Sequence, residues 1–143
     1  MNEGARFVDC QHCLCLAVRT AARGITSVYD DALRSHGLRA TQFTTLATLI
    51  ARGAMPLVAL ARSLGMDRTT MTRNLALLEA KGWTQTDIDE DDARTHRISV
   101  TAKGRALARK ALPAWRAAQD TIANRFGAAD VAALHRLANA ATS

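Results

Sequence analysis

The stretch LARSLGMDRTTMTRNLALLEAKG, residues 60–82, decides the fold. Its beginning belongs to the run LVALARSL at 57–64, where Leu57, Leu60, Ala61 and Leu64 recur at three- and four-residue spacing. That is the period of one helix face. Gly65 breaks the run, and Asp67 supplies a carboxylate suited to capping a second helix. Over 68–81, Met71, Leu75 and Leu78 fall on one face, and Lys81-Gly82 close the segment. Two short helices joined by a tight turn have the layout of a helix-turn-helix.

Behind Gly82 the period changes. Trp83–Ile88 and Thr95–Val100 read as two short strands around the polar tract DEDDAR, too charged to be buried. A hairpin directly behind a helix-turn-helix is a wing. Upstream, Phe7–Leu33 reads as a long helix with Ala17, Ala21, Ile25, Val28 and Ala32 on its apolar stripe, and Gly37 as its stop. A further helix is expected from Thr41, capped by that hydroxyl, with Phe43, Leu46, Ala47 and Ile50 facing inward. Downstream, Thr101 caps a long helix that Pro113 should kink or break. Phe126-Gly127 turns the chain into a last helix over 129–141. The fold class is mainly α with a small β-hairpin wing. It is a single domain, 1–143, with a winged lobe at 39–104 and terminal helices at 7–36 and 105–143. The terminal helices have hardly any core of their own, so a second copy of the chain is expected to cover them.

Composition narrows the function classes. With 143 residues the chain closes one modest core, which excludes a large multidomain enzyme. Hydrophobic residues at 48% and charged residues at 22% describe a folded protein rather than a disordered one. No apolar run approaches the roughly 20 residues of a membrane span. The start MNEGARFVDC lacks a secretory pattern, so a reducing cytoplasm is expected. Lys and Arg number 19 against 13 acidic residues, a formal charge of +6, and 16 of the 19 are Arg. Arginine suits phosphate and base-edge recognition. The hairpin region 83–104 is the exception, at −2.

With Met71, Leu75 and Leu78 turned inward, the helix at 68–81 leaves Arg68, Thr69, Thr70, Thr72 and Arg73 facing out or flanking. Small hydroxyl residues beside arginines fit a major groove about 12 Å wide. The threonines can donate to phosphates or touch a thymine methyl, and the arginines can bridge guanine edges or hold phosphate. On the hairpin, Arg94, His96 and Arg97 are the candidate contacts. The surrounding carboxylates are expected to fix the arginines and shape the loop.

These residues carry a resemblance. Residues 55–104 resemble the winged helix-turn-helix of the MarR family of bacterial transcriptional regulators, through 60–82, DDAR at 91–94 and VTAKG at 100–104. RATQFTTLATL at 39–49 resembles that family's second helix. The resemblance implies that 68–81 is the recognition helix, that Arg94 contacts DNA from the wing, and that Asp92 orients it. It implies a homodimer, joined by the terminal helices, on an inverted repeat with half-sites about 34–36 Å apart. It also implies repression relieved by a small, often aromatic or anionic effector. The effector pocket would lie near Tyr29, Leu33 and Leu46, with Arg19 or Arg23 as anion partner. Trp83, where an aliphatic is usual, and Gln85-Thr86, where a basic residue is common, depart from the pattern.

Cys10, Cys13 and Cys15, with His12 between them, are not required by such a fold. If the helix begins by Cys10, then Cys10 and Cys13 share a face. Three readings stand: buried or interface thiols, a redox sensor of the kind some family members carry, or a soft-metal site shared by two chains. No cofactor motif and no nucleophile–base arrangement is present, so no enzyme activity is expected. The competing class is a winged-helix module for protein interaction or chromosome architecture, with non-specific DNA binding or none.

Overall fold

The structure, a computed structural model, describes residues 2–142. Met1 and Ser143, the ends of the expected 1–143 domain, lie outside the described residues. The helices are α1 (Glu3–Arg6), α2 (Leu14–Leu33), α3 (Ala40–Arg52), α4 (Leu57–Ser63), α5 (Arg68–Ala80), α6 (Ala102–Phe126) and α7 (Ala128–Ala141). The strands are β1 (Met55–Pro56), β2 (Thr84–Ile88) and β3 (His96–Val100).

The helix-turn-helix and hairpin form where the periodicity places them. Two boundaries differ from the sequence reading. The first helix does not run from Phe7. Val8–His12 is a 3₁₀ turn, and Cys13, extended at φ −61° and ψ 123°, is the N-cap of α2. None of the residues 3–12 is buried, so no packing holds that segment to the helical path. Nor does Thr41 cap α3. Arg39 is the N-cap position, and Asp30 of α2 accepts the Ala40 N–H at 2.7 Å. The cap arrives from another helix, so local sequence could not show it.

The hairpin gains a third strand. Order is β1-β3-β2, antiparallel, with Met55 opposite Ile98 and Thr86 also opposite Ile98 across β2. Ile98 is buried at the centre of this small sheet. Helix α6 passes through Pro113 unbroken. Pro113 is exposed, so the carbonyl of Arg109 that loses its donor faces water rather than core.

The core lies between α3, α4, α5 and the first half of α6. Leu33, Leu46, Leu49, Leu60, Met71, Leu78 and Ile98 are its largest fully buried apolar side chains. Burying each stabilises the fold by about 1.5–3 kcal/mol relative to exposure. An aromatic chain joins the helices outside the lobe. Phe43 stacks on Trp115 at 5.8 Å, and Tyr29 packs on Trp115 at 6.2 Å. The far ends are different. Helix α7 buries no residue, and Leu14, Val18, Leu134 and Leu137 stay exposed.

Candidate nucleic-acid interface

Helix α5 is held from three sides. Met71, Leu75 and Leu78 anchor its inner face. Asn74 Nδ2 donates to Thr45 Oγ1 at 2.9 Å, and Thr45 is fully buried on α3 and donates in turn to Thr41 O. At its end Glu79 accepts a short hydrogen bond from the Thr86 hydroxyl on β2. These links fix the rotation of α5 about its axis and set the wing against it. The sequence reading missed Asn74 and Glu79, because each acts through a partner distant in the chain.

The outer face begins at Asp67. Its carboxylate accepts the Thr70 N–H at 2.8 Å and the Thr70 hydroxyl at 2.7 Å. The backbone and then the side-chain bond from Thr70 hold the Asp67 carboxyl below its ordinary value. The capping role expected for Asp67 is what the geometry gives. It also corrects the reading of the threonines. Thr70 spends its hydroxyl proton on Asp67, and Thr72 donates to the Arg68 carbonyl at 2.8 Å. Their methyl groups and lone pairs remain for a ligand, but their donors do not. Thr69 is exposed and keeps its hydroxyl unpaired among the described residues. Arg68 and Arg73 are exposed and take part in no ion pair among the described residues. The helix therefore presents two unneutralised guanidinium groups, one free hydroxyl and three threonine methyl groups. That set can meet phosphates, guanine edges and thymine methyls.

The wing sorts its arginines. Arg94 is exposed at the loop, with its guanidinium unpaired among the described residues. Asp92 does not grip that guanidinium. Its Oδ1 accepts the Arg94 backbone N–H at 3.0 Å and its Oδ2 accepts the Thr95 hydroxyl at 3.1 Å. An Asx turn of this kind fixes the loop backbone and leaves the side chain free to reach outward. Arg97 is a correction. It pairs with Asp89 at 3.2 Å and donates to the Ala54 carbonyl, so it ties β3 to the segment before β1 rather than facing a ligand. The Asp91 N–H and then Arg97 hold the Asp89 carboxyl below its ordinary value. His96 is exposed at the open end of β3, opposite Ile88.

Trp83 is buried, and its carbonyl accepts the Thr101 N–H at 3.0 Å where α6 begins. Lys81 lies over its ring at 4.6 Å. The bulky residue is thus a packing element between wing and α6.

The expected effector residues do not converge. Leu33 and Leu46 are fully buried core, and Tyr29 is packed on Trp115 with its hydroxyl donating to Gln119. Arg19 and Arg23 are exposed, with Arg23 near Thr26 and Asp30 in an open depression. A different cavity of about 240 Å³ opens between α3 and α6, walled by Phe43, Ala47, Ile50 and Leu112 and flanked by Arg105 and Arg109. Cys10, Cys13 and Cys15 are free and exposed, and His12 is exposed, so burial within the chain is not their role. Because Cys13 caps α2 while Cys10 sits in the 3₁₀ turn, the two do not share a helix face. Among the described residues no three His, Cys, Asp or Glu side chains converge to hold a metal ion.

A buried-faced helix presenting free arginines, locked beside a three-stranded wing, defines a winged helix-turn-helix fold. The chain belongs to the MarR family, whose sequence profile matches residues 38–96. The crystal structure of the M. tuberculosis transcriptional regulator MosR in complex with DNA is 40% identical. It superposes with a TM-score of 0.77 over 90% of this chain and 98% of that one. The HTH-type transcriptional regulator TtmR of Methylorubrum extorquens is 33% identical over 94 residues, 66% of this chain. The match spans only about half of TtmR, 48% of its length. MarR of E. coli in its apo form, at 21% identity, shares the fold with a TM-score of 0.70 over 90% of this chain and 96% of its own. No helix among the described residues is long and apolar enough to cross a membrane.

Proposed function

We propose that the protein is a sequence-specific, DNA-binding transcriptional repressor of the cytoplasm and not an enzyme. The observation that carries this reading is the outer face of α5, where Arg68, Thr69 and Arg73 stand free beside the methyl groups of Thr70 and Thr72. Arg94 reaches from the wing toward the flanking backbone or minor groove. The protein acts as a homodimer. The exposed apolar residues of α2 and α7 form the surface a second copy covers, since such area is otherwise unfavourable in water. Two recognition helices then meet an inverted repeat with half-sites one helical turn apart.

The effector is a small aromatic acid. Its site is the apolar cavity between α3 and α6, where ring contacts and the arginines at its rim favour an anionic ring compound. The exposed thiols at 10, 13 and 15 supply a second, oxidative input at the dimer end of the molecule.

Fluorescence anisotropy tests the reading. The upstream region of the protein's own gene is compared with shuffled DNA at about 150 mM salt. A preference above roughly 10³ supports a specific regulator. Equal, weak binding to both would favour an architectural or protein-binding module instead.

A further inference from the structure

A basin of about 350 Å³ opens where the end of α2, the loop into α3 and the end of α5 meet. Arg34, Arg39 and Lys81 stand on its wall with a single carboxylate, Asp30. Asp30 is already engaged. Its Oδ1 accepts the Ala40 N–H, and its Oδ2 lies 3.9 Å from the Arg39 guanidinium. Arg34 pairs with Asp31 at 2.5 Å, while Lys81 makes no ion pair among the described residues and its ammonium lies over the Trp83 ring at 4.6 Å. Gln42 also lines the basin and is only 8% exposed. Its Oε1 accepts the Arg39 N–H at 3.0 Å, and its Nε2, which reaches solvent, donates no hydrogen bond among the described residues. An amide nitrogen open to the basin with its donors unused can serve an acceptor bound there. The cations around it call for an acceptor that is charged.

We propose that this basin binds the phosphate group of a small phosphorylated molecule. Two guanidinium groups, an ammonium and an amide offer donors enough for the oxygens of a phosphomonoester, and arginine forks match that geometry. The volume falls in the range of small-molecule sites. A DNA backbone phosphate is the other source of the same chemistry. The position argues against it, given the proposed docking of α5. Lys81 stands 13 residues beyond Arg68, about 20 Å along the axis, at the end of α5 opposite the one that enters the groove.

Calorimetric titration of the full chain with inorganic phosphate and with glycerol 2-phosphate, without DNA and at constant ionic strength, tests the site. Saturable binding at one per chain is expected for both, with chloride unable to replace them. Gln42→Glu keeps the acceptor for Arg39 N–H but turns the donors into a charge that repels the ligand. Lys81→Gln removes the ammonium without touching the α3 cap. Each is expected to weaken binding about tenfold or more. Absence of saturable binding, or wild-type affinity in both variants, overturns the proposal. So does a Lys81→Gln variant that loses DNA affinity but binds phosphate as before. Because phosphate binding is read without DNA, its failure is separate from any failure of the DNA-binding reading.

Discussion

Gly104→Ala is the perturbation whose outcome the packing fixes most sharply. Gly104 is buried in the first turn of α6, and its N–H is capped by the Thr101 hydroxyl at 3.0 Å. A Cβ there would lie 2.1 Å from the Trp83 carbonyl oxygen, 2.9 Å from its carbon and 3.0 Å from its Cα. Ordinary contact begins near 3.4 Å, so helix and wing base must part by about 1.3 Å. The obstacle is backbone, held on one side by Trp83 N–H to Leu78 O at 2.9 Å and on the other by Thr101 N–H to Trp83 O. Overpacking of this sort costs about 1–3 kcal/mol. Losing the Thr101–Trp83 bond adds about 1 kcal/mol. The helix preference for Ala over Gly returns up to about 1 kcal/mol. The net loss is about 1–4 kcal/mol, or about 3–13 °C in melting temperature for a chain of this size. Circular dichroism melts at matched protein concentration measure it, since a dimer's midpoint depends on concentration. Because β2 starts at Thr84, the same shift should move the wing and lower DNA affinity. A Gly104→Ala protein that melts at or above wild type would refute the reasoning.

Four other expectations follow from the site. Arg73→Ala should cost about 1–3 kcal/mol on the preferred operator and flatten base preference; uniform weakening on all DNA would mean phosphate contact alone. Arg94→Ala should weaken every sequence alike and reduce the salt slope by about one, measured by anisotropy across a salt series. Thr72→Val, which keeps the methyl, should leave operator affinity near wild type. Thr69→Val, which removes the free hydroxyl, should weaken it by about 0.5–1.5 kcal/mol; equal effects would contradict the hydrogen-bond assignment. Asp67 and Asp89 both have carboxyls lowered from the ordinary 3.8. Their stabilisation is therefore present above that value and is lost as pH falls through the lowered folded values. Urea midpoints taken from about pH 5 downward should fall less steeply in Asp67→Asn than in wild type.

The stability consequences of two glycines show where sequence reading reaches its limit. Gly24 interrupts an apolar period within one helix, so a modest penalty is legible from neighbours three and four positions away. Gly104 sits in a helix start that looks ordinary, and only the approach of the Trp83 carbonyl gives it meaning. The same division runs through the site. Asp67 capping α5 and Thr101 capping α6 could be read because cap and capped amide are three residues apart. Asp30 capping α3 could not, because it comes from another helix. The hairpin was visible as a change of period. The pairing of Met55 with Ile98 was not, since two residues make no pattern.

Sequence alone determined the winged helix-turn-helix, the inward face of α5 and the excess of arginine. Those properties depend on spacing and composition, which are local or additive. Tertiary structure decided which polar groups remain free. It spent Thr70 and Thr72 within the helix turn, pinned Arg97 to Asp89 and Ala54, and left Arg68, Arg73 and Arg94 unneutralised among the described residues. It also brought Arg34, Arg39, Gln42 and Lys81 to one basin from three elements. A side chain's chemistry is fixed by its type, but its availability depends on which partners folding places within hydrogen-bond distance.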